Sequence, residues 1–460
     1  MKSLDAEHWQ ARLDQIGAET GMVGAVLGIL RLNDGGQDEM VRAATGVLNA
    51  KTARNVTTDS LFQIGSVTKP CTATVIMQLI EQGKIGLDQK IKDILPGFKL
   101  STDDLTNNVT IKHLLNHTSG LDGDVFIDTG RGDDSLEKYM TILESAVQLF
   151  PVGASWSYCN TGYSIMGRII QVVTGQVWER AMRERLFAPL GLTHTVTLPE
   201  EALLYDTAVG HLVGLPTPKA TTQWCLDRDN GPAGSITCSV GDLLTFARLH
   251  MCGGVTADGV RLLSEQSVAA MHDFSATVPG GDINGESWGL GFTRFDWGGA
   301  RVYGHDGNTI GQSAFLRVYP EGKLAVALMA NGPGVHPLYQ RLVGEIFAEV
   351  CGVTIRGEFE LPSEPAELDI TPWVGTYERD EVRIEIIDEP EGPLFRSAEK
   401  GELAELDENP VTECRMIPIR EGLYGVYVDE RKMNLPLWLF QLPTGDRYVH
   451  FSSRSTRKTG

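Results

Sequence analysis

The stretch Gln63-Ile64-Gly65-Ser66-Val67-Thr68-Lys69 constrains this chain most, because it heads a long apolar run that has to be buried. Val75, Ile76, Leu79 and Ile80 recur at helical spacing as far as Gly83, and Gly65 and Ser66 stand in front as a start signal. The pattern predicts a mostly buried helix beginning at Ser66. Residues three apart share a helix face one turn apart, so the Ser66 hydroxyl and the Lys69 amine can meet. That is a nucleophile beside a base. An amine driven into an apolar pocket loses its preference for the charged form, and a neutral amine accepts a serine proton that a solvated ammonium cannot. The helix N-terminus adds partial positive charge and N–H groups where negative charge would develop.

Ser-x-x-Lys is a common spacing, and it recurs at Ser135…Lys138, Ser397…Lys400 and Ser455…Lys458. Context separates the four. Ser135 lies among Asp133, Asp134 and Glu137, Ser397 lies next to Glu399, and Ser455 belongs to what reads as a polar tail. Only Lys69 is followed by an apolar helix able to desolvate it.

A length of 460 residues with 42% hydrophobic content suits one large catalytic domain and a smaller one. The formal charge of −20 argues against nucleic acid or an anionic membrane surface as a partner. Met1 to Trp9 has no basic segment leading into an apolar one, and no stretch approaches the length of a membrane span, so the chain reads as cytoplasmic. The seven cysteines are scattered without C-x-x-C or Cys/His ligand spacing. Free thiols are expected, with neither a disulfide framework nor structural zinc.

Leu4 to Ile16 has the pattern of an amphipathic helix, and Met22 to Leu32 with Met40 to Val47 that of a β-hairpin. His113 and His117 are four apart and could share a helix face; without a third ligand nearby they read as helix-end histidines rather than a metal site. Asp122 to Asp134, rich in Gly and Asp, reads as a mobile loop near the site entrance. Trp156-Ser157-Tyr158-Cys159-Asn160-Thr161-Gly162 precedes another apolar run, which puts Tyr158 and Asn160 on the loop entering a helix. A tyrosine near a lysine can shuttle a proton, and Asn160 offers both a donor and an acceptor to a substrate amide. Taken alone, the two residues read more simply as an interface aromatic and a helix cap. Gly231 to Ser235 reads as a tight turn. Trp288 to Phe295, Arg301 to Tyr303, Ala314 to Tyr319 and Leu324 to Ala330 have β pattern, with Gly304-His305-Asp306-Gly307-Asn308 as a connector between two of these strands. Its glycines allow close approach to a bound acyl group, the Asn308 N–H is a candidate second oxyanion donor beside that of Ser66, and His305 would add a polar or positive side chain opposite Tyr158.

The order Ser66-x-x-Lys69, Tyr158-x-Asn160, His305-x-Gly307 before a strand resembles the serine β-lactamase and penicillin-binding-protein superfamily. More narrowly, it is similar to the branch of class C β-lactamases, DD-peptidases, D-aminopeptidases and class VIII esterases. Tyr-x-Asn and His-x-Gly each occur once in the chain, and Leu114 to Leu121, Tyr158 to Gly167 and Pro232 to Ser235 support the match. The resemblance runs from about Thr20 to Val350. It implies an α+β fold, an antiparallel sheet with flanking helices and a helical subdomain. It also implies Ser66 as the acylated nucleophile, Lys69 and Tyr158 sharing general base and acid duty, Asn160 positioning substrate, and His305 in the third motif with Gly307 and Asn308 beside it. No metal or organic cofactor is implied. β-Lactamases of this branch usually carry Lys-Thr-Gly where this chain has His305-Asp306-Gly307, which argues for peptidase or esterase chemistry. The literal Lys458-Thr459-Gly460 has no strand after it and reads as coincidence.

Residues 1–355 thus form the expected catalytic domain, and 356–372, rich in Glu and Pro, an interdomain linker. From Trp373 onward, short β pieces at even spacing suggest a small all-β barrel, and Trp373-x-Gly375-x-Tyr377 resembles the lipocalin-like module that some relatives append. Arg447, Arg454 and Arg457 are candidates to meet a substrate carboxylate, Arg447 foremost, though surface charge explains them too. The expected activity is hydrolysis of small peptides, amides or carboxylic esters through an acyl-enzyme. The alternatives are acyl transfer to an amine, as in a peptide-cyclising thioesterase, β-lactam hydrolysis, and a β-lactam-binding sensor without turnover. The natural substrate and the oligomeric state are not legible.

Overall fold

The computed structural model describes residues 4–35, 37–212, 217–282, 285–400, 410–429 and 433–460. Residue 36, in the stretch Asn33 to Gln37 whose sequence reads as the turn of the first hairpin, and residues 213–216 lie outside these. The chain divides into two compact units. One comprises Met1–Gly86, Met166–Asp273 and Gly289–Gly357; the other Leu87–Ile165, Phe274–Trp288 and Glu358–Gly460.

In the first unit the strands Arg54–Asn55, Glu39–Asn49, Gly24–Arg31, Leu324–Ala330, Ser313–Tyr319, Ala300–Asn308 and Thr293–Trp297 lie side by side in that order, antiparallel throughout. Gly24–Arg31 is buried along its whole length, so both faces of the sheet are covered. Ala25, Leu27 and Ile29 share a core with Leu13 and Ile16 of helix Ala6–Thr20 and with Leu338, Leu342 and Ile346 of helix Val335–Cys351. The first helix starts where the Asp5 side chain accepts from the N–H groups of Glu7 and His8, and it ends at Gly21 in the left-handed region. On the opposite face, Gly28 makes room for helix Val240–Met251, because a Cβ there would stand 2.7 Å from both Val240 and Leu244.

The Ser66 helix fits the same layer. It is a short 3-10 turn, Gly65–Val67, running into an α-helix over Thr68–Glu81 whose residues from Thr68 to Leu79 are all buried. Its threonines hold it from several sides: Thr68 Oγ1 accepts from Ile236 N (3.1 Å), Thr72 Oγ1 donates to Pro232 O (2.8 Å), and Thr74 Oγ1 lies 3.1 Å from His250 Nε2. His250 in turn lies 3.2 Å from His272, which stacks on Tyr303 with ring centroids 3.6 Å apart.

The second unit carries a nine-stranded, barrel-like antiparallel sheet in the order Val411–Arg415, Leu394–Glu399, Val382–Ile387, Gly375–Arg379, Arg454–Lys458, Arg447–Phe451, Met433–Gln441, Leu423–Val428, Ile417–Arg420. Tyr377, Phe395, Val426, Leu437 and Val449 fill its core. The Ser455 segment is not a polar tail. Ser455 and Thr456 are buried on a strand, where Ser455 Oγ donates to Trp156 O (2.9 Å), and Thr459 and Gly460 bond with Thr376. Small hydroxyl side chains satisfied by hydrogen bonds are buried at little cost, which a polarity pattern misreads. Tyr448 and Leu442 pack on Leu149 and Phe150, joining this sheet to the segment of short helices that includes Asp103–Asn108, Ile111–Leu115 and Ser135–Ile142. Among the described residues no helix is long and apolar enough to cross a membrane.

Burial pushes His250 down to about 3 and His272 well below the ordinary 6.5. Above pH 6.5 both are neutral in either state; below it the unfolded chain takes up protons that the folded one refuses, so stability is lost as pH falls. Urea unfolding between pH 7.5 and 4.5 should show this pair contributing a slope approaching about 3 kcal/mol per pH unit. His250→Gln should remove about half of that contribution. An unchanged slope in the variant would show that His250 does not bind its proton only on unfolding.

Candidate active site

Lys69 is fully buried. Its Nζ donates to Ser66 Oγ (2.9 Å) and to the carbonyl of Ala233 (2.9 Å). The spacing predicted the first contact. The second comes from Gly231–Gly234, where the tight turn expected over Gly231 to Ser235 is a single helical turn. Gly234 leaves space there for the Leu226 side chain, since a Cβ would stand 2.8 Å from it.

The third motif is not a connector. Ala300–Asn308 is a single strand, and Gly304 to Asn308 continue the ladder against Arg317 to Ser313. The glycines that suggested a loop are required by close backbone approach instead. A Cβ on Gly65, whose φ is +49°, would stand 2.6 Å from Asn308 N; one on Gly307 would overlap the Ile64 carbonyl oxygen and stand 2.9 Å from Ser66 N. The backbone of Asn308 therefore runs directly against that of Gly65 and Ser66.

His305 and Asp306 take opposite faces of this strand, as the pleat requires. His305 is buried, with Nδ1 2.6 Å from Asp306 O, which places the proton on Nδ1. Burial, then the positive charge of Lys69, lowers its pKa to about 3, so the third motif presents a neutral imidazole rather than a positive one. Asp306 pairs with Arg317, whose Nε donates to Tyr339 Oη (2.9 Å) and whose guanidinium lies 4.2 Å from the Phe295 ring centroid. Burial opposes the Arg317 charge, but Asp306 and Tyr339 hold its pKa above the ordinary value.

In the second unit Tyr158 and Asn160 are set by backbone contacts from three directions. Tyr158 N donates to Ser453 O (3.0 Å), Asn160 N to Gly123 O (3.0 Å), and Cys159 N to His117 Nδ1 (3.0 Å). Asn160 begins helix Asn160–Thr174. The Tyr158 ring is enclosed by His117 (centroids 4.4 Å apart), Trp288 (5.8 Å) and Trp156 (6.4 Å). His117 does not share a helix face with His113. Helix Ile111–Leu115 ends before it, His117 has φ +62°, and His113 caps that helix from Thr110.

The Asp122–Asp134 segment opens with two buried carboxylates and continues as an irregular, largely exposed stretch. Asp124 accepts from Asn160 Nδ2 (3.0 Å), from Arg454 Nε (2.6 Å) and Nη2 (2.8 Å), and from Arg379 Nη1 (3.0 Å). Burial would raise its pKa, but the two arginines hold it far below the usual carboxylate range. Asp122 accepts from Asp380 N (2.8 Å), and burial pushes its pKa up. Sequence reasoning missed Asp124, Arg379 and the contact role of His117. Nothing local marks them, because their partners are distant in sequence. Arg447 donates to Pro372 O (2.7 Å) and lies over Trp373; Arg454 is the arginine found against Tyr158, its Cζ 4.7 Å from the ring centroid.

An antiparallel sheet covered on both faces by helices, with Ser-x-x-Lys heading a buried helix and a glycine-bearing strand against the serine, defines the β-lactamase and penicillin-binding-protein class of fold. The chain belongs to the Beta-lactamase family, whose sequence pattern matches residues 9–347. It is 42% identical over 380 residues to penicillin-binding protein 4 of Amycolatopsis lactamdurans, covering 82% of this chain and 98% of that one. It is 32% identical over 208 residues to esterase EstB of Burkholderia gladioli, covering 41% and 52%. The crystal structure of SurE superposes with a TM-score of 0.79 at 25% identity over 99% of both chains, and SurE with D-Leu superposes with 0.77.

Gly307→Ala should destabilise the fold by about 1–3 kcal/mol, because the strand must move from the backbone of Ile64 and Ser66. Gly357→Ala is the control, since a Cβ there meets nothing within 4 Å. Thermal melts on both variants check this. Equal melting temperatures would show that the close approach accommodates a side chain.

Proposed function

We propose that this protein is a serine hydrolase that forms an acyl-enzyme on Ser66 and cleaves amide or ester bonds of short peptides or small carboxylic esters. The observation that carries this reading is a fully desolvated Lys69 with Nζ 2.9 Å from Ser66 Oγ at the head of a buried helix. A penicillin-binding protein and an esterase, 42% and 32% identical, support the reaction class.

In the proposed reaction Lys69 works as the neutral amine: the donation across the 2.9 Å contact reverses, Nζ accepts the proton of Ser66, and Ser66 Oγ attacks the substrate carbonyl. The oxyanion forms at the backbone N–H groups of Ser66 and Asn308, which the close approach of the two segments brings side by side. The order of motifs gives Tyr158 proton delivery to the leaving group and Asn160 the substrate amide. His305, neutral and buried, shapes the acyl side of the site rather than offering a cation to a substrate carboxylate. That favours peptide and ester substrates over β-lactams. Water then resolves the acyl-enzyme.

A second reading has one specific support. D-Leu in the SurE structure, which matches along both chains, favours a D-configured residue in the substrate. Its amine could resolve the acyl-enzyme in place of water and give transfer or cyclisation.

Intact-protein mass spectrometry over time, with p-nitrophenyl acetate and with a penicillin, tests the reading. An adduct or turnover in wild type that is absent from Ser66→Ala is expected. Lys69→Ala and Tyr158→Phe should be slower by about 10²–10⁴, and Ser135→Ala and Ser397→Ala should match wild type. Full turnover by Ser66→Ala would overturn the mechanism.

A further inference from the structure

One buried carboxylate connects both members of the Tyr158-x-Asn160 motif to the C-terminal sheet. Asp124 Oδ1 accepts from Asn160 Nδ2, and both of its oxygens accept from Arg454 in a bidentate pair at 2.6 and 2.8 Å. The guanidinium so fixed lies over the Tyr158 ring at 4.7 Å, within cation–π range, while His117 covers the ring as well. The backbone beside Arg454 grips the same tyrosine, since Ser453 O accepts from Tyr158 N. Ser157 Oγ accepts from Ser455 N (3.1 Å). These contacts come from one two-residue hairpin turn. Phe451 pairs with Arg454, and Ser452 and Ser453 between them have φ +48° and +65°. Two successive non-glycine residues in that region are disfavoured without surrounding contacts, so the turn is held in the shape that delivers Arg454.

We propose that Arg454 is a positioning residue for Tyr158. Clamped by Asp124, it fixes the tyrosine ring and its electrostatic surroundings, so that the last hairpin of the C-terminal sheet is part of the catalytic apparatus rather than an appended module. This rests on the acyl-enzyme reading given above. It differs from the role the sequence offered, a receptor for a substrate carboxylate: two nitrogens of Arg454 already serve Asp124, and Arg379 reinforces that pair from a neighbouring strand. Burial opposes the Arg454 charge, but Asp124 holds its pKa above the ordinary value, so the cation persists at any working pH.

The test uses the full chain as wild type, Arg454→Ala, Arg454→Lys and Arg396→Ala, the last removing an exposed ion pair with Glu413 elsewhere on the sheet. Turnover is measured with p-nitrophenyl acetate, whose acyl group carries no charge, and with the p-nitrophenyl monoester of succinic acid, whose acyl group carries a carboxylate. In parallel, each protein is labelled with 3-fluorotyrosine and the Tyr158 ¹⁹F resonance is assigned by its loss in Tyr158→Phe. In Arg454→Ala the resonance should shift and kcat should fall at least tenfold on both esters, with KM within twofold of wild type. Arg454→Lys, which keeps the charge, should recover part of both readouts, and Arg396→Ala should match wild type. An unmoved resonance, or a loss confined to KM for the succinate ester, overturns the proposal. Absence of Ser66-dependent turnover in wild type would overturn the functional reading instead, and the fluorine resonance would still decide the contact between Arg454 and Tyr158. If Arg454→Ala fails to fold, Arg454→Lys carries the same decision: a wild-type resonance and kcat from a lysine that cannot make the bidentate pair overturns the clamp.

Discussion

The burial of the Lys69 amine is the constraint on which the catalytic unit depends. Taking an ammonium out of water costs several kcal/mol even after relaxation, so a lysine sits fully buried only where specific acceptors meet it or where it gives up its charge. Here the acceptors include Ser66 Oγ and the Ala233 carbonyl. The first is the nucleophile of the proposed reaction; the second is a backbone group that substitution cannot easily remove. Maintaining this arrangement requires a helix buried on every side, a short turn at Gly231–Gly234 to present the carbonyl, and threonines whose hydroxyls hold the helix, Thr68 and Thr72 at that turn and Thr74 at His250. The long buried run that first drew attention in the sequence is thus the solvent-exclusion device for one amine.

A second constraint is the close approach of the Asn308 strand to the Ser66 turn. Two backbone segments can lie in direct contact only if no side chain stands between them, and this chain meets that requirement from both sides, with Gly65 on the helix turn and Gly307 on the strand. The strand is then free to use its other face for packing. Asp306 points away from the site into a pair with Arg317, which lies over Phe295 and donates to Tyr339. Arg317 is buried and Asp306 half-buried; such a pair adds little net stability, but removing Asp306 would leave the buried guanidinium without its carboxylate. It fixes the register of the strand that carries His305 and Gly307.

What was legible in the sequence was what is local. The Ser66 helix, the first hairpin and the strands from Thr293 to Ala330 follow from periodicity, and the short motifs follow from spacing. His305 shows the limit. Glycines on either side of it look like a loop because the sequence does not reveal that another backbone occupies the space their side chains would fill. The last strand of the barrel was missed for a related reason. Arg454–Lys458 buries Ser455 through hydrogen bonds to Trp156 and His450, nearly 300 residues away in the first case. Alternation of polar and apolar residues cannot register burial achieved that way. His117 was seen as a polar end-of-helix residue, and its ring contact with Tyr158 needs a positive φ that no pattern marks.

The acidic composition hides a related asymmetry. With a net charge of −20, most carboxylates have no choice but to face water, and many of the exposed ion pairs contribute little. Asp122 and Asp124 are different because they are buried and two arginines from the C-terminal sheet come to them. A carboxylate with a pKa held so far down cannot be neutralised at any ordinary pH, so the cluster has to be assembled whole or not at all. Asp124 and Arg454 are 330 residues apart. Closing so long a loop costs chain entropy before any contact is made, and only the folded nine-stranded sheet, with its own core at Tyr377, Phe395 and Leu437, supplies the compensating burial. The surroundings of Tyr158 are therefore complete only when the last strand of the chain has joined its sheet.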